Sequence, residues 1–199
     1  MTNYTVRAMI FKCVDESGVD WTGSDEPYWV FSALDAAGTA LKTNRSKTFG
    51  DVDTGETKRF KSGPSGAGEN IVWPDRGVGA GAPGPIALSI QLWDSDQGDP
   101  AKTEATTNAV FQAAALLPPT QWVSAVPAIV REKLIGFIAD DMMGSRTILL
   151  SQKRLDERLP AKGSFFEQKF RFSGSSGDLP FDVAGGPDYD LTLQVERTS

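Results

Sequence analysis

An alternating segment of this chain ends in Leu92-Trp-Asp-Ser-Asp96, and two carboxylates spaced i and i+2 leave a strand on the same side. Asp94 and Asp96 can therefore point together at one hard cation. Calcium requires such an arrangement, because it gathers roughly six to eight oxygens from carboxylates, carbonyls and water. Two further acidic turns stand elsewhere in the chain. One holds Asp15, Glu16, Asp20, Asp25 and Glu26, and the other holds Asp140 and Asp141. If the three turns meet at one end of a sheet-built domain, calcium coordination is the chemistry they fit.

Nearby alternatives are weaker. Asp94-Ser-Asp-Gln-Gly-Asp99 starts like an EF-hand loop, but its Gly comes one place early and no Glu follows at the twelfth position. It also follows a strand pattern rather than a helix. Asp99 reads better as a helix cap, since Pro100 after it suits a first helical position. Asp15 and Glu16 fit either outer ligands or plain surface. Asp94 and Asp96 favour metal because Asp is depleted in strands. Asp140 and Asp141 follow an expected helix, where anions oppose the macrodipole unless a cation is near.

Composition removes other chemistries. The chain has 199 residues, no histidine and a single cysteine, Cys13. Histidine acid–base catalysis, His-liganded metals, thiolate clusters and an internal disulfide are excluded, so the chain is expected not to be an enzyme. Cys13 lies in an expected strand and reads as a small buried apolar residue. The net charge of −6 argues against nucleic acid as a partner. No apolar run approaches a membrane-spanning length, and Met-Thr-Asn-Tyr-Thr-Val-Arg has no signal-peptide pattern. A cytoplasmic or peripheral membrane location is expected.

The elements that must position these turns are mostly strands. Tyr4-Thr-Val-Arg-Ala-Met-Ile-Phe and Tyr28-Trp-Val-Phe-Ser-Ala-Leu read as strands, the second buried on both faces. Residues 38–62 read as a hairpin turning at Asp53-Thr-Gly-Glu. Ile86, Leu88, Ile90 and Leu92 alternate with small or polar residues, the pattern of a half-buried strand. Residues 100–139 change to helical spacing, with one helix ending near Pro118-Pro119 and a second carrying Val126, Ile129, Val130, Leu134, Phe137 and Ile138. Strand character returns at Thr147-Ile-Leu-Leu. It continues with Phe166, Phe170 and Phe172 on one face and ends with Tyr189, Leu191, Leu193 and Val195 inward. The expected architecture is mainly β, an antiparallel eight-stranded β-sandwich in one domain, 1–199, with a helical hairpin inserted at about 100–139.

The motif order resembles the C2 domains, calcium-dependent phospholipid-binding β-sandwiches. Asp20-Trp-Thr-Gly-Ser-Asp-Glu-Pro-Tyr-Trp-Val has the shape of the family's first acidic loop, and Asn70-Ile-Val-Trp73 looks like its central Asn-Pro-Val-Trp element. Leu92-Trp-Asp-Ser-Asp96 matches its strand ending in Asp-x-Asp, and Asp141-Met-Met-Gly matches the Asp-Phe-Met-Gly that follows. The resemblance implies a Ca2+ ligand set of Asp20, Glu26 or Asp25, Asp94, Asp96 and Asp141, with Asp15 and Asp140 as outer members. It departs from the family at residues 97–140, where a short loop is replaced by the helical insertion.

Lys42, Arg45 and Lys47, with Lys58, Arg59 and Lys61, form a basic group. C2 domains often bind anionic head groups through comparable strands, so these residues are a second candidate lipid contact; a solvated charged face is the plainer reading. Gly77-Val-Gly-Ala-Gly81 lacks the context of a nucleotide loop. Three functions follow in order: a calcium-binding module meeting an anionic membrane or protein partner, a docking module of a larger assembly without calcium dependence, and a hydrolase using carboxylates alone.

Overall fold

β-Branched and aromatic runs bounded by Gly, Pro and Asp turns make strands throughout the chain. The computed structural model describes residues 2–16, 25–35, 41–62, 70–74, 81–95, 99–114, 117, 121, 141–174 and 187–199, with backbone alone at 41, 114 and 141. The strands are β1 (Tyr4–Asp15), β2 (Pro27–Asp35), β3 (Leu41–Arg45), β4 (Thr57–Arg59), β5 (Ile71–Trp73), β6 (Ile86–Asp94), β7 (Asp141–Leu150), β8 (Phe165–Ser173) and β9 (Asp188–Arg197). Helix α1 spans Pro100–Ala114 and helix α2 spans Gln152–Arg158. The second helix expected at 126–138 lies outside the described residues.

The strands form two antiparallel sheets. One has the order β4-β1-β9-β8 with β5 also on β1, and the other has β3-β2-β6-β7. The expected β-sandwich is present, with nine described strands where the pattern indicated about eight. Its interior is aromatic. Phe11 meets Phe49 edge-on at 4.8 Å and Trp29 meets Phe172 at 5.0 Å and 85°, geometries that add to area burial. Tyr189, Leu191, Leu193 and Val195 of β9 all face inward, as their alternation indicated.

The second sheet differs from the expectation for β6. Every residue of β6 is buried, not one face of it. Helix α1 covers part of its outer face. Phe111 joins Tyr28, Val30, Leu34, Ala87 and Trp93 in a second apolar cluster on the outer face of that sheet. Its start follows the sequence, since Asp99 Oδ1 accepts from Ala101 N–H at 2.9 Å.

Two further expectations are corrected. Residues 38–62 do not form one hairpin, because β3 pairs with β2 in one sheet and β4 with β1 in the other. The Asp53-Thr-Gly-Glu turn exists, with Gly55 at φ 91° supplying the left-handed residue. It ends on β1 instead, where Gly55 N–H donates to the Cys13 carbonyl at 2.9 Å. The strand expected at Thr147 begins earlier, at Asp141. Helix α2, absent from the expectation, is capped by Ser151, whose side chain accepts from Arg154 N–H.

Candidate functional site

The start of β2, the end of β6 and the start of β7 lie side by side. Pro27 pairs with Asp94, and Asp94 pairs with Asp141. Sheet register therefore brings Asp25 and Glu26, the end of β6 at Asp94 and the start of β7 at Asp141 to one end of the sandwich. The other sheet reaches the same end, since Tyr189 at the start of β9 donates its hydroxyl to Asp25 Oδ2 at 2.6 Å.

Each described carboxylate is held differently. Asp94 is buried, and its Oδ1 accepts from Glu26 N–H at 2.8 Å and from Ser95 N–H at 3.0 Å. It staples the first acidic turn to the strand end. Asp25 is 3% exposed and turned inward, with its carbonyl accepting from Val52 N–H at 3.1 Å. Glu26 is exposed, so of the two candidates in that turn Glu26 faces solvent. Asp15 ends β1 opposite Asp188 and is exposed. Asp20, Asp96 and Asp140 lie outside the described residues, as does the Asp141 side chain. Among the described residues, no group of three or more His, Cys, Asp or Glu is arranged to hold a metal ion. The donors present are all oxygens, which suits a hard cation rather than a soft one.

Two buried groups stand behind this end. Burial first, and then the hydrogen bond to Asp25, raises the Tyr189 phenol far above its ordinary range, so it remains the donor. Burial pushes the Cys13 thiol up to about 11. Cys13 is a free, buried thiol, as expected of a small apolar residue. Tyr189 was not among the residues singled out from the sequence. Inward alternation marked it as core, and nothing in that pattern signals where its hydroxyl ends.

The basic residues occupy edge strands of different sheets. Lys42 and Arg45 lie on β3, Lys47 just after it, and Lys58 and Arg59 on β4. Arg45 Nε lies 3.4 Å from Glu104 of α1, and Lys58 Nζ 2.7 Å from Glu56. Lys47 stands over the Phe49 ring at 4.9 Å.

Among solved structures, human GIVD cytosolic phospholipase A2 is similar at 11% identity and a TM-score of 0.42, the match covering 100% of this chain and 16% of the phospholipase. A C2 domain of plant extended synaptotagmin 1 is similar at 7% identity and a TM-score of 0.41, the match covering 100% of this chain and 96% of that domain. The fold itself is a two-sheet antiparallel β-sandwich. No family model matches the sequence, and no curated protein matches it. No helix among the described residues is long and apolar enough to cross a membrane.

Proposed function

We propose that this chain is a non-enzymatic C2-like module whose acidic end binds calcium and thereby meets an anionic lipid or protein surface. One observation supports the reading: Pro27, Asp94 and Asp141 stand in register across three neighbouring strands, so the strand ends that lead into the three acidic segments lie side by side. Like charges gathered there repel, and a divalent cation would offset that cost. Glu26, Asp94 and Asp141 would be ligands, joined by Asp20 and Asp96 from the adjoining turns. Calcium would turn a negative end into one able to face an anionic surface.

Calorimetry with calcium, together with melts in calcium and in chelator, tests this directly. Binding should release or absorb heat and raise the melting temperature, as any ligand of the native state does. Asp94→Asn keeps the Oδ1 acceptor for Glu26 and Ser95 while removing the charge. It should weaken calcium binding by at least about tenfold with little change in the melt of the calcium-free protein. Absence of both heat and melting shift would sink the metal reading.

A second reading, a docking module without calcium dependence, draws on a specific feature. Asp25 and Asp94 already receive protein donors, the Tyr189 hydroxyl and two backbone N–H groups. On that reading these carboxylates are structural, Asp94→Asn is silent in calcium, and partner binding is unchanged by chelator.

A further inference from the structure

At the opposite side of the molecule from β3 and β4, the two sheets end in β7 and β8, and among the described strands neither has a partner on its outer edge. Between these edges lies an apolar crevice floored by Leu88, Ile148 and Leu150 from one sheet and Leu193 and Val195 from the other. Three successive inward positions of β8 border it: Phe166, Gln168 and Phe170. Each carries a guanidinium. Arg158 stands over Phe166 at 5.8 Å, Arg154 Nη2 donates to Gln168 Oε1, and Arg146 stands over Phe170 at 5.8 Å.

Those positions are two residues apart on a strand, so the points at which the three cations meet β8 recur about every 7 Å. Among the described residues none of the three has an ion pair, although the chain as a whole is acidic, at −6. Arg146 and Arg158 are exposed and Arg154 is half-buried. A single inward charge on an edge strand guards against unwanted pairing. Three cations in step with the strand repeat, drawn from β7 and from both ends of α2, match something more specific.

We infer that this edge is a docking site for an extended acidic peptide, which adds to the free edge of β8 and sets carboxylates at alternate positions on Arg158, Arg154 and Arg146. An extended chain presents one face every second residue, at the same repeat of about 7 Å. Backbone pairing with an open edge supplies affinity and the alternate side chains supply register. Phe165, 59% exposed at the start of β8, offers an apolar contact to the peptide's other face. The site is independent of the acidic end, and its test is run in chelator.

The probe is a fluorescein-labelled, blocked peptide of sequence EVEVEV, titrated by anisotropy against the full chain, beside EEEVVV of the same composition. EVEVEV should bind the tighter of the two. Arg146→Gln, Arg154→Gln and Arg158→Gln should each weaken it about two- to fivefold, as partly exposed charge pairs do, and the triple variant by about tenfold or more. Melts confirm that each variant is folded; if the triple variant melts early, the single variants carry the comparison. No binding of EVEVEV, equal binding of both peptides, equal binding to the variants, or a heparin fragment bound as tightly as EVEVEV would each overturn the assignment.

Discussion

The two sheets of the sandwich are built to different rules. In the β4-β1-β9-β8 sheet, β9 and β8 alternate buried and solvated residues along their length. Their outer faces carry charges that pair across strands: Arg171 with Asp188 and Asp190, and Arg7 with Glu196. In the other sheet, β2 and β6 are buried on both faces, and α1 packs on part of the outer side through Phe111. The two cover layers are unequal in quality. The interior between the sheets is aromatic and apolar, whereas α1 meets its sheet with Thr103 and Thr107 as well as Phe111. It sits over a face that includes buried Ser32, Ser89 and Gln91. Gln91 Nε2 and Thr107 Oγ1 have no hydrogen-bond partner among the described residues.

The largest effect expected from breaking this contrast is in the inter-sheet core. Trp29→Ala removes a fully buried ring in contact with Phe11, Phe31, Phe60 and Phe172. It should cost about 3–5 kcal/mol in urea unfolding, enough to threaten folding at ordinary temperature.

Next comes the bond that ties the sheets at the acidic end. Tyr189→Phe removes one donor from the buried Asp25 carboxylate at almost constant shape. A loss of about 1–3 kcal/mol is expected, read from the same unfolding experiment. A change well below that would mean the Asp25 carboxylate is satisfied without the phenol.

The layer under α1 should respond with the opposite sign. Thr107→Val deletes a buried hydroxyl that has no partner among the described residues while keeping the side chain's volume. It should stabilise by about 1 kcal/mol and slow amide exchange within α1. Destabilisation would show that the hydroxyl is satisfied in solution.

The smallest effect lies on the solvated face. Burial alone raises the Asp190 carboxyl, but the Arg171 guanidinium at 2.6 Å and Lys169 outweigh it and hold the group below the usual carboxylate range. A lowered folded pKa contributes stability above the unfolded value, near pH 4, and loses it as pH falls through the folded value. Arg171→Gln should therefore give a small deficit at neutral pH that closes as the pH falls through the lowered folded value, measured by urea melts from neutral into acid. A deficit that persists in acid would assign Arg171 a packing role instead.

Legibility in the sequence followed the same division. β9 and β8 were read correctly face by face, because alternation records a boundary between core and water. The Asp99 cap and the start of α1 were legible from Asp-Pro, since capping is chemistry between near neighbours. β6 was misread as half-buried because its outward residues, Ala87, Ser89 and Gln91, are small or polar. Their burial depends on chain outside the strand, Phe111 included, that packs on the sheet's outer face. The 38–62 segment was read as a hairpin because a turn signal does not say which strand each arm will pair with. Helix α2 had a usable signal, Ser151 followed by Gln-Lys-Arg-Leu-Asp-Glu-Arg, but it is short and sits between stronger strand patterns. In the acidic end, the carboxylates were legible by type and spacing. The inward turn of Asp25 was not, because it is decided by Tyr189, distant by 164 positions.

By itself, then, the sequence determined the composition of the site and the β character of the frame. No histidine, one cysteine and three acidic turns limit the chemistry, and period-two alternation specifies strands and the faces that meet water. Only the tertiary structure decided which strand ends lie side by side, which carboxylate of Asp25 and Glu26 faces out, and that three arginines from β7 and α2 line up along one edge. The physical reason is range. Propensity, capping and alternation act between residues a few positions apart. Register between strands and the cover supplied by α1 arise only when segments far apart in the chain compete for the same apolar and hydrogen-bonding surfaces.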